Sequence, residues 1–297
     1  MTDGSETFLK AIALTEVPAE VFDRAFVATP QFVPWPKAYG GDMVAQAAAS
    51  AIQTVDNDGT LHSMHSYFLR PVEIGVEVRY EVELLRDGRS FSTRQVRGFQ
   101  SGKPVYQCTA SFQVPEVGEE FQSQIPEVPA PESLPSSAEF LKSDEATNLE
   151  AIEYWSRGRS FDHRHIPSPI YLAVEGEHVA HQAVWVRAFD QLGEDANLHR
   201  LAIAYVCDYT ILEPILRKLG LAWAESELVT ASLDHAMWFH REARADDWLL
   251  YMQESPSLSS GRGLGLGKFY DRAGRLVATV AQEGMIRYPK PNRKEGQ

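Results

Sequence analysis

The sequence has few of the features that mark secreted, membrane-spanning or nucleic-acid-binding proteins. Only two of its 297 residues are cysteines, Cys108 and Cys207, which excludes a disulfide framework and fits a reducing compartment. No run of about 18 uncharged apolar residues is present, so no membrane span is expected. The chain has 28 Lys and Arg against 41 Asp and Glu, and the resulting formal charge of −13 argues against a nucleic-acid-binding surface.

Targeting signals are also lacking. Residues 1–17 show no basic segment followed by a long apolar run, so no secretory signal is expected. Residues 292–297 do not match a peroxisomal address of the Ser-Lys-Leu type. The cytoplasm is therefore the expected location.

The composition, with 44% hydrophobic and 23% charged residues, is that of a globular protein with a sizeable core. The predicted elements occur in a similar order twice, each time with an apolar helix followed by strands joined by short turns. The first unit has helices at 7–17 and 42–54 and strands at 20–28, 61–70, 76–86, 90–100 and 103–114. The second has a helix at 197–220 and strands at 178–189, 229–241, 248–255, 259–270 and 275–288.

The segment between the two units differs in composition. Seven of the 17 prolines lie within residues 114–169, which predicts a linker with one helix at 138–157. The sequence thus predicts a duplicated α+β protein with a first domain at 1–115, a proline-rich linker at 116–169 and a second domain at 170–297.

The helix at 197–220 is apolar on nearly every side, which is typical of a buried helix. Asn197 is its predicted N-cap, Gly220 its predicted C-terminal cap, and Pro214 predicts a break just before it. Asp208 lies in this segment with no Lys or Arg within one helical turn along the chain. Because an ionised carboxylate in apolar surroundings is costly, Asp208 is the first candidate functional residue.

Two strands supply further polar candidates. Gln282 shares a face of the last strand with apolar residues, and its amide there needs buried hydrogen-bond partners. Ser232 lies on a strand between Asp208 and Gln282 in the sequence. Two interpretations remain open: the polar residues form a functional site, or Asp208 and Gln282 make one buried contact that holds the helix to the sheet.

Other apparent motifs favour structural roles. Asp234 and His235 are neighbours on a strand and should point to opposite faces, which predicts a His with a backbone partner rather than a catalytic pair. Cys207 lies beside the Asp208 carboxylate and has no evident His partner, so it is predicted to be a core residue. The glycine-rich residues 261–268 do not have P-loop spacing. Neither zinc-site spacing nor a G-x-S-x-G turn occurs.

Nine short stretches, spread essentially from end to end, resemble those of a known family. They are YGG at 39–41, HSYFLRP at 65–71, LRDG at 85–88, GKP at 102–104, TASFQ at 109–113, YVCD at 205–208, LDHAMWFHR at 233–241, WLLY at 248–251 and QEG at 282–284. On these stretches the chain is similar to the acyl-CoA thioesterase II, or TesB-like, family, and LDHAMWFHR is the most specific of them. The resemblance implies a double hot-dog fold, in which two antiparallel sheets each wrap a central apolar helix.

The resemblance also implies a catalytic triad and a reaction. The family uses an Asp on the second central helix, a Thr or Ser on the next strand and a Gln on the last strand, which match Asp208, Ser232 and Gln282. These residues would activate a water for direct attack on an acyl-CoA thioester, with Asp208 as general base. Backbone N–H groups near a helix start would polarise the carbonyl. No cofactor and no metal are implied.

The first copy is expected to be structural, because aligning the two helices sets Ala48 against Asp208 and leaves Asp42 near the helix start. Basic residues that are candidates for the CoA phosphates, or are simply solvated, are Arg70, Arg94 and Arg262. The family resemblance implies a homodimer or larger homo-oligomer. Two rival functions are an acyl-CoA-binding or regulatory protein without hydrolysis and a hot-dog hydratase, although the Gly-Asp-x-Asn-Pro-type hydratase motif is absent.

Overall fold

The computed structural model describes residues 4–56, 58–142 and 149–289. The C-terminal segment at 292–297, the first three residues and part of the predicted linker helix lie outside these ranges. Within the described residues, no helix is long and apolar enough to cross a membrane.

The described residues of the first half form one short helix, one long helix and six strands. Its elements are α1 (Glu6–Ala11), β1 (Thr15–Val17), β2 (Arg24–Ala28), α2 (Gly40–Ile52), β3 (Thr60–Phe68), β4 (Val78–Asp87), β5 (Phe91–Gln100) and β6 (Lys103–Gln113). The predicted helix at 7–17 is therefore shorter than expected, and its end forms β1. Strands β2 to β6 contact α2. The helix is buried along nearly its whole length, and its alanines allow the close approach.

The second half repeats this plan after a segment of short helices. The elements of the segment are a 3₁₀ turn (Pro131–Ser133), α3 (Ser137–Leu141), α4 (Leu149–Glu153) and a π-helical turn (Tyr154–Gly158). The second half then has β7 (Phe161–Ile166), β8 (His181–Ala188), α5 (Ala196–Val206), a 3₁₀ turn (Cys207–Tyr209), α6 (Glu213–Leu219), β9 (Val229–Ser232), β10 (Asp234–Phe239), β11 (Leu249–Ser259), β12 (Arg262–Asp271) and β13 (Leu276–Arg287).

Strand β7 lies inside the predicted linker and pairs with β8. Its residues are mostly buried, but the prolines on either side of it made the segment resemble a linker. The described part of the predicted helix at 138–157 is divided among α3, α4 and the π-helical turn rather than forming one helix.

The thirteen strands found among the described residues form one antiparallel sheet. Its order is β1-β2-β4-β5-β6-β3-β10-β13-β12-β11-β8-β7, with β9 also paired to β13. The two halves join where β3 pairs with β10, and Met64 lies opposite Met237 at this junction. Helices α2 and α5 pack against each other. This is the double hot-dog arrangement that the resemblance implies. The strands of each half form one part of the sheet, and the two parts join edge to edge between β3 and β10.

The predicted apolar helix at 197–220 is two helices. Helix α5 ends at Val206, a 3₁₀ turn follows, and α6 begins at Glu213 with Pro214 in its first turn. A proline is well placed in a first turn because its missing N–H needs no partner there, whereas a continuous helix would lose a hydrogen bond and clash. The predicted break is confirmed.

The two ends of this helical pair differ in how well they were predicted. Gly220 ends α6 with a left-handed φ of 72°, as expected for a C-terminal glycine. The predicted N-cap, Asn197, is wrong. Asp195 is the N-cap, and its carboxylate accepts a hydrogen bond from the backbone N–H of Asn197 at 2.9 Å.

Candidate active site

Asp208 lies in the 3₁₀ turn between α5 and α6, on the wall of a cavity of about 320 Å³. The side chains on either side of it, Cys207 and Tyr209, are buried, whereas Asp208 is partly exposed. The interruption of the helix therefore gives one carboxylate access to the cavity within an otherwise buried segment.

The structure brings together the three residues predicted from the sequence. The amide Nε2 of Gln282 donates to Oδ1 of Asp208 at 2.6 Å and lies 2.9 Å from Oγ of Ser232. The hydroxyl of Ser232 donates to the same Oδ1 at 3.0 Å. Gln282 is fully buried, so its amide is held by protein partners alone. Oδ1 of Asp208 is thus fixed by two donors, while Oδ2 makes no hydrogen bond with a described residue.

A β-bulge between β9 and β10 changes the side-chain alternation that the sequence predicts. Ser232 lies opposite Gly284, whereas Ala236 lies opposite Ala281, so four steps along one strand match three along the other. The extra residue shifts the pattern by one position. His235 therefore faces the same side as Ser232, which strict alternation does not allow.

The prediction that His235 has a backbone partner is wrong. Its Nδ1 lies 2.9 Å from Oε1 of Gln282. Burial lowers the pKa of His235, so the ring is neutral near pH 7, and because an amide oxygen can only accept, Nδ1 is the donor. This hydrogen bond turns the amide nitrogen of Gln282 towards Asp208 and Ser232. His235 is thus a residue of the site that sequence reasoning missed.

The other polar residues near this cluster are structural. Cys207 has a His neighbour that the sequence did not reveal, since its Sγ lies 3.8 Å from Nε2 of His235. Burial, and then the charge of Asp208, raises the pKa of the Cys207 thiol well above its usual value, so it is a core residue as predicted. The carboxylate of Asp234 accepts from the backbone N–H of Glu283 at 2.8 Å. Among the described residues, no group of three or more His, Cys, Asp or Glu could hold a metal ion.

The first half contributes the start of α2 to the same place. A Cβ atom on Gly40, the first residue of α2, would lie only 2.6 Å from Oδ2 of Asp208. The site therefore requires glycine there. The first N–H groups of a helix have no acceptor within the helix, and the helix dipole gives them partial positive charge. The carboxylate of Asp208 and the donors of Gly40 and Gly41 thus lie close together.

The fold also brings a cation to the cavity that holds Asp208. Lys37 lines this cavity, and its ammonium group donates to the backbone carbonyl of Thr230. Burial lowers the pKa of Lys37, and the charge of Asp208 acts in the opposite direction. No cation lies within a helical turn of Asp208 in the sequence, so only the packing of the two halves supplies this charge.

The three arginines considered for CoA binding have different surroundings. Arg94 is 1% exposed and bound to the carboxylate of Asp87 at 2.6 Å, so it cannot reach a ligand and this prediction is wrong. Arg70 is exposed and lines the cavity that contains Asp208. Arg262 is exposed and pairs with Glu283 at 3.2 Å.

Asp42, the carboxyl group near the start of α2, differs from Asp208. It is fully buried, and its two oxygens accept from the backbone and side-chain nitrogens of Gln31 at 2.9 and 3.2 Å. Burial raises the pKa of Asp42 to about 8, against the effect of these hydrogen bonds. The group is thus mainly protonated at pH 7. Ala48 is also fully buried in α2.

The relatives of the chain identify its family. It is 33% identical over 273 residues to acyl-CoA thioesterase 2 of Haemophilus influenzae, with 91% of this chain and 94% of that protein covered. The chain belongs to the acyl-CoA thioesterase family. It is also 36% identical to human acyl-coenzyme A thioesterase 8, covering 86% of this chain and 82% of that protein. Residues 158–285 match the family described as acyl-CoA thioesterase, and residues 33–113 match the acyl-CoA thioesterase N-terminal domain.

Solved structures place the same family on the same fold. The acyl-CoA thioesterase II TesB2 from Mycobacterium marinum is 34% identical and superposes with a TM-score of 0.74, covering 97% of this chain and 98% of that one. A protein of unknown function from Alicyclobacillus acidocaldarius, described as having a hot dog fold, is only 19% identical but superposes with a TM-score of 0.75 over 95% of this chain and 98% of that one. The predicted double hot-dog fold is confirmed.

Proposed function

We propose that this member of the acyl-CoA thioesterase family hydrolyses fatty acyl-CoA to a free acid and CoA by direct attack of water on the thioester carbonyl. The observation that carries the proposal is the cluster of Asp208, Ser232 and Gln282 beside the start of α2, on the wall of the cavity. The names of the relatives, acyl-CoA thioesterase 2 and acyl-coenzyme A thioesterase 8, support the substrate class.

Asp208 is the proposed general base. Its Oδ1 is held by Ser232 and Gln282, which leaves Oδ2 to take a proton from the attacking water. As the new C–O bond forms, negative charge develops on the carbonyl oxygen. The N–H groups of Gly40 and Gly41 at the start of α2 are the proposed donors to this oxygen.

The second half of the reaction returns the proton. The tetrahedral intermediate collapses with cleavage of the C–S bond, and CoA leaves as a thiolate that accepts the proton held by Asp208. The products are a carboxylic acid and the CoA thiol, and no acyl-enzyme forms. Cys207, the thiol nearest to the base, is too deeply buried and too weakly acidic to act as a nucleophile.

The cavity walls suggest how the substrate lies. The acyl chain occupies the aromatic part, lined by Trp35, Tyr154, Trp155 and Trp223. CoA extends from the exposed side, where Arg70 and Lys37 supply positive charge. Because the whole chain carries a formal charge of −13, the attraction of the CoA phosphates depends on such local cations.

Two rival functions share this fold. A hot-dog hydratase needs a catalytic Asp–His pair, but here His235 is bonded to Gln282 and Asp234 to the backbone of Glu283. An acyl-CoA-binding or regulatory protein would use the cavity and leave the polar cluster as a structural contact.

A thiol-release assay over acyl-CoA substrates from short to long chains separates these functions. The proposal expects stoichiometric release of CoA thiol and, in a single turnover in H₂¹⁸O, one ¹⁸O atom in the acid with no acylated protein detected by mass spectrometry. A hydratase would instead consume an enoyl-CoA without releasing thiol. Binding of acyl-CoA with no thiol release at any chain length would contradict the proposal.

Three further features are proposed with the function. The chain would form a homodimer or larger homo-oligomer and act in the cytoplasm, and its domains would be 1–115 and 170–297 with a linker between them. Light scattering after size-exclusion chromatography tests the oligomer, cell fractionation tests the location, and limited proteolysis tests whether cleavage is concentrated at 116–169. Because β7 is paired with β8, cleavage within this segment is expected before Phe161.

A further inference from the structure

Arg159 is a buried cation on the wall of the cavity that contains Asp208. It follows the π-helical turn Tyr154–Gly158, and its backbone N–H donates to the carbonyl of Tyr154 at 3.2 Å. Such turns are rare and recur at functional sites. Only 4% of Arg159 is exposed. The turn thus places a guanidinium group in a cavity whose walls are otherwise largely aromatic and aliphatic.

The ring of Tyr209 separates this cation from the proposed reaction centre. The Cζ atom of Arg159 lies over this ring, 4.5 Å from its centroid, and Tyr39 stacks on the ring with a centroid separation of 4.1 Å. Two groups at these distances cannot share one face, so they lie on opposite faces of Tyr209. Tyr39 directly precedes Gly40 at the start of α2. Arg159 therefore lines the part of the cavity away from the proposed oxyanion donors.

The guanidinium group has few partners. Among the described residues it makes one side-chain hydrogen bond, from Nη1 to the Tyr171 hydroxyl at 3.5 Å, and its Nε has none. It forms no ion pair with a described carboxylate. The charge of Glu213 acts on Arg159, but the oxygens of Glu213 already accept from Gln182 at 2.6 Å and Trp223 at 2.9 Å.

A buried arginine with so few partners is costly. Arginine stays protonated and presents five N–H donors, and a buried charge without a partner is unfavourable. The rings of Tyr154, Tyr171 and Tyr209 provide cation–π contacts, which compensate part of this cost but accept no in-plane hydrogen bond. A methionine would cover the same wall without the charge. A carboxylate is the ligand that matches a guanidinium group, since it can accept two parallel hydrogen bonds.

We propose that Arg159 binds a carboxylate at the far end of the acyl chain, so that the protein prefers CoA thioesters of dicarboxylic acids to those of monocarboxylic acids of the same length. This inference rests on the proposed function and names its substrate class. With the thioester carbonyl at Asp208, the acyl chain passes the Tyr209 ring and its terminal carboxylate supplies the acceptor that Arg159 lacks. The formal charge of −13 disfavours anionic substrates in general, so the preference depends on this one cation.

Matched pairs of substrates test the inference. The kcat/KM of the wild-type protein is compared for a series of ω-carboxyacyl-CoA thioesters and acyl-CoA thioesters of equal length. We expect a preference of about 10- to 100-fold for the dicarboxylic member at the best length, the range typical of hydrogen bonds to charged groups. Arg159→Met should abolish this preference by lowering kcat/KM for the dicarboxylic series alone. Arg157→Met, an exposed arginine on the same turn, should leave both series unchanged.

The outcomes distinguish this inference from the proposed function. If the wild-type protein hydrolyses the monocarboxylic series and shows no preference for any dicarboxylic member, the inference is wrong and the thioesterase proposal stands. If it hydrolyses neither series, the thioesterase proposal fails, and calorimetric titration with free dicarboxylic acids still tests the Arg159 subsite. Wild-type inhibition provides a test that does not depend on Arg159→Met folding correctly. Non-hydrolysable S-(ω-carboxyalkyl)-CoA thioethers should compete with acyl-CoA more strongly than S-alkyl-CoA thioethers of equal length, and equal inhibition would overturn the inference.

Discussion

The central helices of the two halves are both buried, yet only one is interrupted. Helix α2 runs unbroken over Gly40–Ile52 and offers its N-terminal N–H groups to the cavity. Its counterpart in the second half is divided into α5 and α6, and Asp208 lies in the turn between them. An unbroken helix satisfies its backbone internally and directs its side chains into the surrounding sheet. The break between α5 and α6 is therefore what places the carboxylate of Asp208 at the cavity rather than in the core.

The carboxyl groups of the two helices differ for the same reason. Asp42 lies within α2, is enclosed and has its pKa raised to about 8 by burial. Asp208 is partly exposed and is bonded to Ser232 and Gln282. The sequence predicts the first half to be structural, and in the proposed mechanism its carboxyl group indeed takes no part. The start of its helix does take part, so the proposed site belongs to both halves.

The largest expected effect tests the comparison directly. Asp208→Asn removes the proposed base while keeping its shape, so kcat for thiol release should fall by about 10²- to 10⁴-fold with little change in KM. Asp42→Asn is the matched control in the other half and should keep the wild-type rate, because that carboxyl group is enclosed away from the cavity. Full activity in Asp208→Asn together with its loss in Asp42→Asn would reverse the assignment of the two halves.

A smaller effect is expected where the two halves meet. In Gly40→Ala the new Cβ atom would lie 2.6 Å from Oδ2 of Asp208 and 3.2 Å from Cε1 of Phe68, so the carboxylate must move. A displacement of about 1 Å at a reacting group costs roughly 100-fold in rate, and we expect kcat to fall by about this factor. Gly118→Ala, where the added atom has no neighbour within 4 Å, should behave as wild type. An unchanged kcat in Gly40→Ala would show that the start of α2 does not contribute to the active site.

His235 should have a moderate effect through the orientation of Gln282. His235→Ala removes the donor to Oε1 of Gln282 and should lower kcat by about tenfold at unchanged KM, as expected for the loss of one buried hydrogen bond. His235→Asn places an amide nitrogen near the position of Nδ1 and should restore part of the loss. Equal losses of kcat in both variants, in step with their melting temperatures, would instead indicate a packing role.

The smallest expected effect concerns stability rather than rate. Asp42 has a pKa of about 8 in the folded protein against a reference value of 3.8, so the folded state binds the proton more tightly than the unfolded state. This carboxyl group therefore lowers the free energy of unfolding progressively as the pH rises from about 4 to about 8, and no further above that. Asp42→Asn removes this dependence. The melting temperature of Asp42→Asn minus that of the wild type should be larger at pH 8 than at pH 5. An identical difference at both pH values would contradict the raised pKa of Asp42.

The sequence allowed much of this site to be predicted, for identifiable reasons. Pro214 signals the helix break because its missing donor acts locally, and Gln282 stands out because strand alternation places it among apolar residues. His235 was missed because that alternation assumes a regular strand. The residue that could have indicated the bulge is Asp234, because Asp is disfavoured in regular strands. Its carboxylate accepts the backbone N–H of Glu283 at the bulge. The sequence does not single out Arg159, because the prolines around its segment predict a linker.

The sequence alone determined the two apolar helices, most strands, the break before Pro214 and the polar candidates Asp208 and Gln282, because each depends on local chemistry or on short-range periodicity. Ser232 was a candidate through the family resemblance. Only the tertiary structure decided what surrounds Asp208: Gly40 from the other half beside it, Lys37 from the other half on the same cavity wall, and His235 through Gln282. These contacts join distant parts of the chain, and they depend on the pairing of β3 with β10 and on a one-residue bulge. A one-residue shift in a strand moves every side chain beyond it to the other face of the sheet. The periodicity of the sequence does not show where such a shift occurs, so the strand register is decided by packing.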